Sequence, residues 1–160
     1  MVIAGLDSAA PVECSRQVKI VPDTSLDDAL QQGPYDVIVL PGGAGGAKRL
    51  SESEKVKQAL QAQESSGNYI AAVCAAPTAL MAHGVAKGKE ITSHPSVKAA
   101  LEGSGNYRYT EARVSRDGSV ITSRGPGSCF EFALAIVAAL AGEETVKDIS
   151  KPMMLPQELQ

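Results

Sequence analysis

The segment Ile70–Gly84, IAAVCAAPTALMAHG, carries the most structural information in the chain. Its first residues, with Tyr69 in front, form a short apolar run that reads as a strand ending at Val73. Cys74 falls in the turn. Pro77 suits the first turn of a helix, and Gly84 suits its close. Strand, sharp turn and helix in immediate succession form the repeating unit of an α/β layer protein. The reading puts a thiol at the carboxyl end of a strand, where open α/β sheets place their ligands. The unpaired amides and dipole of the following helix favour thiolate over thiol there. The arrangement has the form of a nucleophile elbow, and Ala75 and Ala76 leave room for a small reactant. A buried, inert cysteine is the competing reading of the same residues.

The pattern repeats on either side. Met1–Gly5, Val18–Val21, Tyr35–Leu40 and Val120–Thr122 are predicted strands, and the continuous apolar run YDVIVL predicts a strand buried on both faces. Ser25 is predicted to cap a short helix through Leu30, with Asp27 and Asp28 in its first turn. Ser51-Glu-Ser-Glu54 reads as a capping box for a helix to about Ser65. Ser128 to Ala141 is the longest helix candidate, closed by Gly142, and Asp117-Gly118 predicts a hairpin turn inside Arg113–Thr122. The expected fold is α/β, a flavodoxin-like three-layer sandwich with a mostly parallel sheet, in one domain over residues 1–160. The irregular tail Lys151–Gln160 is left open between a packed arm and a frayed end.

Composition excludes several function classes. The 160 residues carry 15 Lys and Arg against 18 Asp and Glu, a net charge of −3, with a pI near 5.4. No basic stripe offers itself to nucleic acid, and the scattered cations give no membrane-surface face. The longest apolar run, Phe132 to Ala141, falls well short of the roughly 20 residues a bilayer requires. No secretory leader is expected at the amino end, and a cytoplasmic setting follows. Three cysteines without a CxxC pair and two histidines predict neither disulfides nor a metal site, and no cofactor is expected. The 15 glycines against four Tyr, two Phe and no Trp suit close helix-on-sheet packing.

Other candidate residues cluster at predicted strand ends. Leu40–Ala47, LPGGAGGA, is a glycine-rich segment after YDVIVL that matches neither GxGxxG nor the P-loop. The amides of Gly43 and Ala75 could together hold a developing oxyanion, and Gly42 would line the same pocket. His94, in SHPS, is a candidate proton carrier, with a solvent-exposed loop histidine as the alternative. His83 is expected to meet only the carboxyl end of its own helix. Arg124 and Pro126, in RGPG, either line a pocket or form a turn. Cys129 is expected to pack. Cys14, in a loop with Arg16, is expected to be an accessible second thiol, and Arg16 is a further candidate pocket residue.

Together the stretches VIAGL, ECSRQVKIVPD, GPYDVIVLPGG, AAVCAAPTAL, ITSHPS and ITSRGPGSCFEFALAIVAAL resemble the DJ-1/PfpI superfamily, specifically its Parkinson-disease protein deglycase branch. They run in order over nearly the whole chain, and the combination is specific. The resemblance implies the flavodoxin-like sandwich, a homodimer, and Cys74 as an oxidisable nucleophile beside the Gly43 and Ala75 amides and His94. It implies glyoxalase or deglycase activity on methylglyoxal and its early adducts, together with oxidative-stress sensing and chaperone action. Nuclear and mitochondrial locations are compatible with it. Relative to that pattern, the strand and helix expected before Met1–Leu6, with the glutamate that meets the cysteine, have no counterpart here. The ending PMMLPQELQ departs as well.

Two functions are therefore expected of Cys74. As an enzyme, its thiolate adds to an aldehyde and His94 assists proton transfer, so the partner is a small aldehyde or a glycated protein. As a sensor, the same sulfur is oxidised to sulfinic acid and Cys14 is a second oxidation-prone thiol. A Cys-His-acid triad ranks below both, because no acidic residue closely follows His94.

Overall fold

Tyr69–Val73 forms a strand, as the sequence pattern predicts, and it is an inner strand of the main sheet. The computed structural model describes residues 1–155. Among them the chain runs β1 (Ala4–Gly5), β2 (Val12–Glu13), β3 (Lys19–Ile20), β4 (Thr24–Ser25), α1 (Leu26–Gln32), β5 (Val37–Leu40), α2 (Ala44–Glu52), α3 (Glu54–Ser65) and β6 (Tyr69–Val73). It continues through α4 (Pro77–His83), β7 (Glu90–Ile91), α5 (Pro95–Gly103), β8 (Arg108–Tyr109), β9 (Val114–Asp117), β10 (Val120–Ser123), α6 (Cys129–Ala141) and α7 (Glu143–Ser150).

The main sheet has the order β5-β6-β10-β9. β6 pairs in parallel with both neighbours, so that Ile70 stands beside Ile38 on one side and Val120 on the other. β9 and β10 form the predicted antiparallel hairpin, and Gly118 adopts the left-handed φ of 63° its turn demands. Three two-stranded pairs complete the architecture: β1 with β4, β2 with β3, and β7 with β8.

Side-chain alternation along β6 divides the core into two layers. Ile70 and Ala72 enter a cluster with Leu40, Val56, Leu60, Leu80, Ile91 and Leu101. Ala71 faces the other way, towards Ile121, Phe132 and Ile136. The sheet is thus covered by α3 and α4 on one face and by α6 on the other, a flavodoxin-like three-layer arrangement. Burying each of the large aliphatic side chains, Leu60, Ile70, Leu80, Ile91 and Leu101, all essentially inaccessible, stabilises the fold by about 1.5–3 kcal/mol. No helix among the described residues is long and apolar enough to cross a membrane.

Local expectations hold at several termini. The Ser25 side chain accepts from the Asp28 amide at 3.1 Å and starts α1. Pro77 opens α4 and left-handed Gly84 (φ 68°) closes it. Gly142 ends α6.

Others change. α2 is a helix that the glycines of Leu40–Ala47 conceal, and it runs straight through Ser51. The cap of the following helix is therefore Ser53, whose side chain accepts from the Val56 amide at 3.3 Å. α5 and α7 lacked a recognisable start, since their caps are a histidine and a glycine. β5 is not buried on both faces: it is the edge of its sheet, and Val39 is 45% exposed. A cavity of about 690 Å³ separates this edge from β1 and is lined by both strands. Of the tail, Lys151–Met153 forms a 3₁₀ turn and Leu155 is buried. The remaining residues of the tail lie outside the described part.

Candidate active site

Cys74 follows the last residue of β6 and holds a backbone φ of 65°. A side chain with a Cβ rarely adopts that conformation, which places it on average about 1–2 kcal/mol above the right-handed alternative. Two hydrogen bonds hold it there. The Cys74 amide donates to the Ser123 carbonyl at 2.9 Å, and its own carbonyl accepts from the His94 amide at 2.8 Å. The strained turn lifts the thiol out of the sheet as an elbow does, and Cys74 is half-buried.

The surroundings of the sulfur are built from small residues. Ala75 is 5% exposed and Ala76 is fully buried, and their turn is closed by the Thr78 hydroxyl donating to the Ala75 carbonyl at 2.7 Å. Gly42 approaches more closely still. A Cβ there would stand 2.6 Å from the Cys74 Cβ and 3.4 Å from its Sγ. Gly43 follows at φ 93° as the N-cap of α2, with open space where a side chain would go. The starts of α2 and α4 therefore flank one thiol.

His83 joins the far ends of these two helices. It is buried, and its Nε2 meets the Leu50 carbonyl at 2.8 Å. Its job is to tie α4 to α2, a tertiary role that a reading confined to its own helix could not find.

His94 reaches Cys74 through its backbone. Its side chain is the N-cap of α5: Nδ1 accepts from the Ser96 amide at 3.2 Å and lies 2.8 Å from the Ser96 hydroxyl. With Nδ1 accepting, the neutral ring carries its proton on Nε2. When the ring is protonated on Nδ1 instead, the Ser96 hydroxyl can accept from it, and Nε2 is freed as a base. The Ser-His-Pro-Ser pattern contained this cap, but histidine is not among the usual capping residues.

Next to His94 lies a cleft of about 320 Å³ that also includes Pro95, Arg113, Arg124, Gly125 and Ser128. Arg124 donates to the Glu111 carbonyl at 3.0 Å. Arg113 donates to the Glu131 carboxylate and to the Gly127 carbonyl. That guanidinium hydrogen bond holds the Glu131 carboxyl below its ordinary range. Pro126 opens the adjoining 3₁₀ turn and is exposed.

The remaining candidates lie elsewhere. Arg16 is exposed on the turn between β2 and β3, where it and Gln17 both take left-handed φ values. No hydrogen bond or ion pair joins it to Cys74 or His94 among the described residues. Cys14 is exposed on the same turn. Cys129 is exposed as well at the first turn of α6, contrary to the expectation that it packs, and its Sγ donates to the Gly125 carbonyl at 3.5 Å.

A model of the DJ-1/PfpI family matches residues 1–139. A Parkinson disease protein 7 homolog of Danio rerio is 54% identical over 153 residues, covering 96% of this chain and 81% of the relative. A Caenorhabditis elegans protein described as a glutathione-independent glyoxalase is 41% identical over 148 residues, covering 92% and 77%. The crystal structure of Drosophila melanogaster DJ-1beta superposes with a TM-score of 0.92 at 49% identity, covering 97% of this chain and 82% of that one.

Proposed function

The chain belongs to the DJ-1/PfpI family, and from that premise we propose that it is a cysteine-dependent glyoxalase and deglycase acting on methylglyoxal and its early adducts. The observation that carries the reading is the left-handed backbone of Cys74 at the end of β6, pressed against Gly42. Strain of this kind persists only where the surrounding structure over-determines it, and it concentrates at functional sites. The named glyoxalase among the relatives supports the reaction class.

In the proposed reaction the Cys74 thiolate attacks the aldehyde carbon, forming an S–C bond and moving the carbonyl electron pair onto oxygen. The amides of Ala75 and Gly43 are assigned to that oxyanion. The hydrogen on the attacked carbon then leaves as a proton and is delivered to the neighbouring carbonyl carbon. The first carbon rises to the thioester level while the second becomes a carbinol. Water hydrolyses the thioester, releasing lactate and restoring the thiol. His94 carries the proton through Nε2, while Ser96 holds Nδ1 on the other side of the ring. With a carbinolamine adduct, the C–N bond to the protein amine breaks as the S–C bond forms at the same carbon, the amine leaves with a proton, and the resulting hemithioacetal follows the same path to lactate and repaired protein.

A second reading rests on the position of the same sulfur. The half-buried sulfur lies beside the starts of α2 and α4, whose amides favour negatively charged oxygens added to it. In this reading Cys74 is oxidised to sulfinic acid and the protein acts as a redox-responsive chaperone in the oxidative-stress response, with Cys14 as a second oxidation-prone thiol. A homodimer in the cytoplasm completes the proposal. The apolar, exposed Val18 and Val21, at 55% and 66% accessibility, support a protein-facing surface on the β2–β3 side.

Lactate formation from methylglyoxal, followed by NMR for the protein and for Cys74→Ala after both are shown to be folded, tests the enzyme. Lactate that disappears with the sulfur supports turnover. A folded, unmodified protein that makes none, yet gains two oxygens at Cys74 under peroxide, transfers the role to sensing.

A further inference from the structure

The short pair β7–β8 decides what stands behind His94. Its parallel register sets Tyr109 beside Ile91, and the Thr110 amide donates to the Ile91 carbonyl at 2.9 Å. Only Thr92 and Ser93 separate Ile91 from His94. The Tyr109 hydroxyl reaches into that connection: it donates to the Ser93 carbonyl at 3.2 Å or pairs with the Ser93 hydroxyl at 3.0 Å. The Ser93 hydroxyl in turn lies 3.1 Å from the His94 carbonyl, to which it donates. With one proton on each hydroxyl, the bonds either run as a chain from Tyr109 through Ser93 to His94 or close back on the Ser93 carbonyl. Both arrangements tie Tyr109 to the residue that precedes His94.

Burial gives these bonds weight. Ser93 is fully buried, so a hydroxyl or carbonyl left unpaired there has no water to turn to. The Tyr109 ring packs against the main core, and the Lys98 Nζ of α5 stands 5.5 Å from its centroid. Tyr109 therefore touches the chain on both sides of His94: Ser93 immediately before it, and Lys98 one turn into the helix that His94 caps. The remaining backbone groups of His94 are also committed, its amide to the Cys74 carbonyl at 2.8 Å and its carbonyl to the Val97 amide at 3.1 Å. Filling the core requires only the ring. The hydroxyl bonds Ser93 alone among the described residues.

We propose that Tyr109 is a positioning residue for the proton transfer: its hydroxyl fixes, through Ser93, the backbone that carries the His94 imidazole. It touches no reacting atom and acts only through His94. The inference rests on the roles given above to Cys74 and His94.

Tyr109→Phe keeps the ring and its contact with Lys98 and removes only the hydroxyl. In the folded variant kcat for lactate formation from methylglyoxal should fall by about tenfold, the loss of one buried hydrogen bond, with KM changed by less than about twofold. Ser93→Ala removes the other hydroxyl and should lower kcat alike, and the double variant should be no slower than either single one. In a His94→Asn background, Tyr109→Phe should have no further effect. Tyr107→Phe is the structural control: it removes a comparable bond, to the Val85 carbonyl at 2.9 Å, and should lower the melting temperature without changing kcat.

Hydrogen exchange reads the same device without turnover. The His94 amide should exchange about tenfold faster in Tyr109→Phe, while the amides of β6 and β10 keep their rates. The proposal is overturned if Tyr109→Phe leaves kcat unchanged, if Tyr107→Phe lowers it equally, or if the loss persists in the His94→Asn background. If the folded wild-type protein makes no lactate, the glyoxalase reading falls by itself and exchange decides the positioning role. Acceleration centred on His94 then upholds it, and an unchanged rate overturns it.

Discussion

Gly42 and Cys74 are in contact so close that no side chain can be inserted between them: a Cβ on residue 42 would lie 2.6 Å from the cysteine Cβ and 3.2 Å from the Val73 carbonyl. Neither obstacle is the flexible end of a long side chain, so a substitution must move the elbow itself. Gly42→Ala is expected to lower stability by about 1–3 kcal/mol and to slow alkylation of Cys74 by iodoacetamide. Thermal melts and mass-resolved labelling of the folded variant check both, and unchanged labelling would mean the elbow has room to spare.

The φ of 65° at Cys74 makes a stability prediction that runs against ordinary helix and strand propensities. Glycine adopts this conformation without strain, whereas alanine retains the Cβ that opposes it. Cys74→Gly should therefore melt above Cys74→Ala, by about 1 kcal/mol. Both should lose lactate formation. A glycine variant less stable than the alanine one would show that the native backbone is relaxed.

His94 carries two separable jobs, and Asn separates them. Asparagine is a strong N-cap, so His94→Asn should keep α5 and change stability by no more than about 0.5 kcal/mol. It cannot shuttle protons near neutral pH. Lactate formation should fall by at least about a hundredfold while the alkylation rate of Cys74 is retained. Ser96→Ala should give a smaller loss confined to kcat, because it removes the hydroxyl that meets Nδ1.

At acid pH the Arg113–Glu131 pair gives a defined expectation. Its hydrogen bond lowers the folded-state pKa of Glu131 from 4.5, so the unfolded chain takes up that proton first. The stabilisation is complete above the unfolded value and is lost as pH falls through the folded one. Glu131→Gln should flatten the acid limb of the stability curve below about pH 4.5, measured by urea denaturation. An identical acid limb in the variant would show that the pair is not linked to folding.

Most of the frame was legible because it rests on local signals. β6, the Pro77 start and Gly84 end of α4, the Asp117-Gly118 hairpin and the Gly142 stop each follow from backbone requirements of one or two residues. What escaped depends on contacts distant in the chain. α2 hides behind Gly43, Gly45 and Gly46, residues that argue against a helix until tertiary packing overrides propensity. β7 and β8, with two residues each, are too short to show periodicity. The exposure of Val39 follows from what stands beside β5, and the apolar run Tyr35–Leu40 reads alike for an edge and a central strand. In the site itself, the strand-turn-helix around Cys74 could be read directly. The capping role of His94 and the tie made by His83 could not, since each depends on which nitrogen meets which backbone group.

That tie has a consequence for how the molecule breathes. The His83–Leu50 hydrogen bond joins α2 and α4 at the ends remote from the sulfur, so neither helix can fray from its neighbour without breaking a buried contact. The pair should behave as a single cooperative opening unit, its amides exchanging with solvent at a common free energy. The spacing across the thiol is then expected to respond to a change at His83, at the opposite end of the helices, and the alkylation rate of Cys74 in a folded His83 variant reads that response.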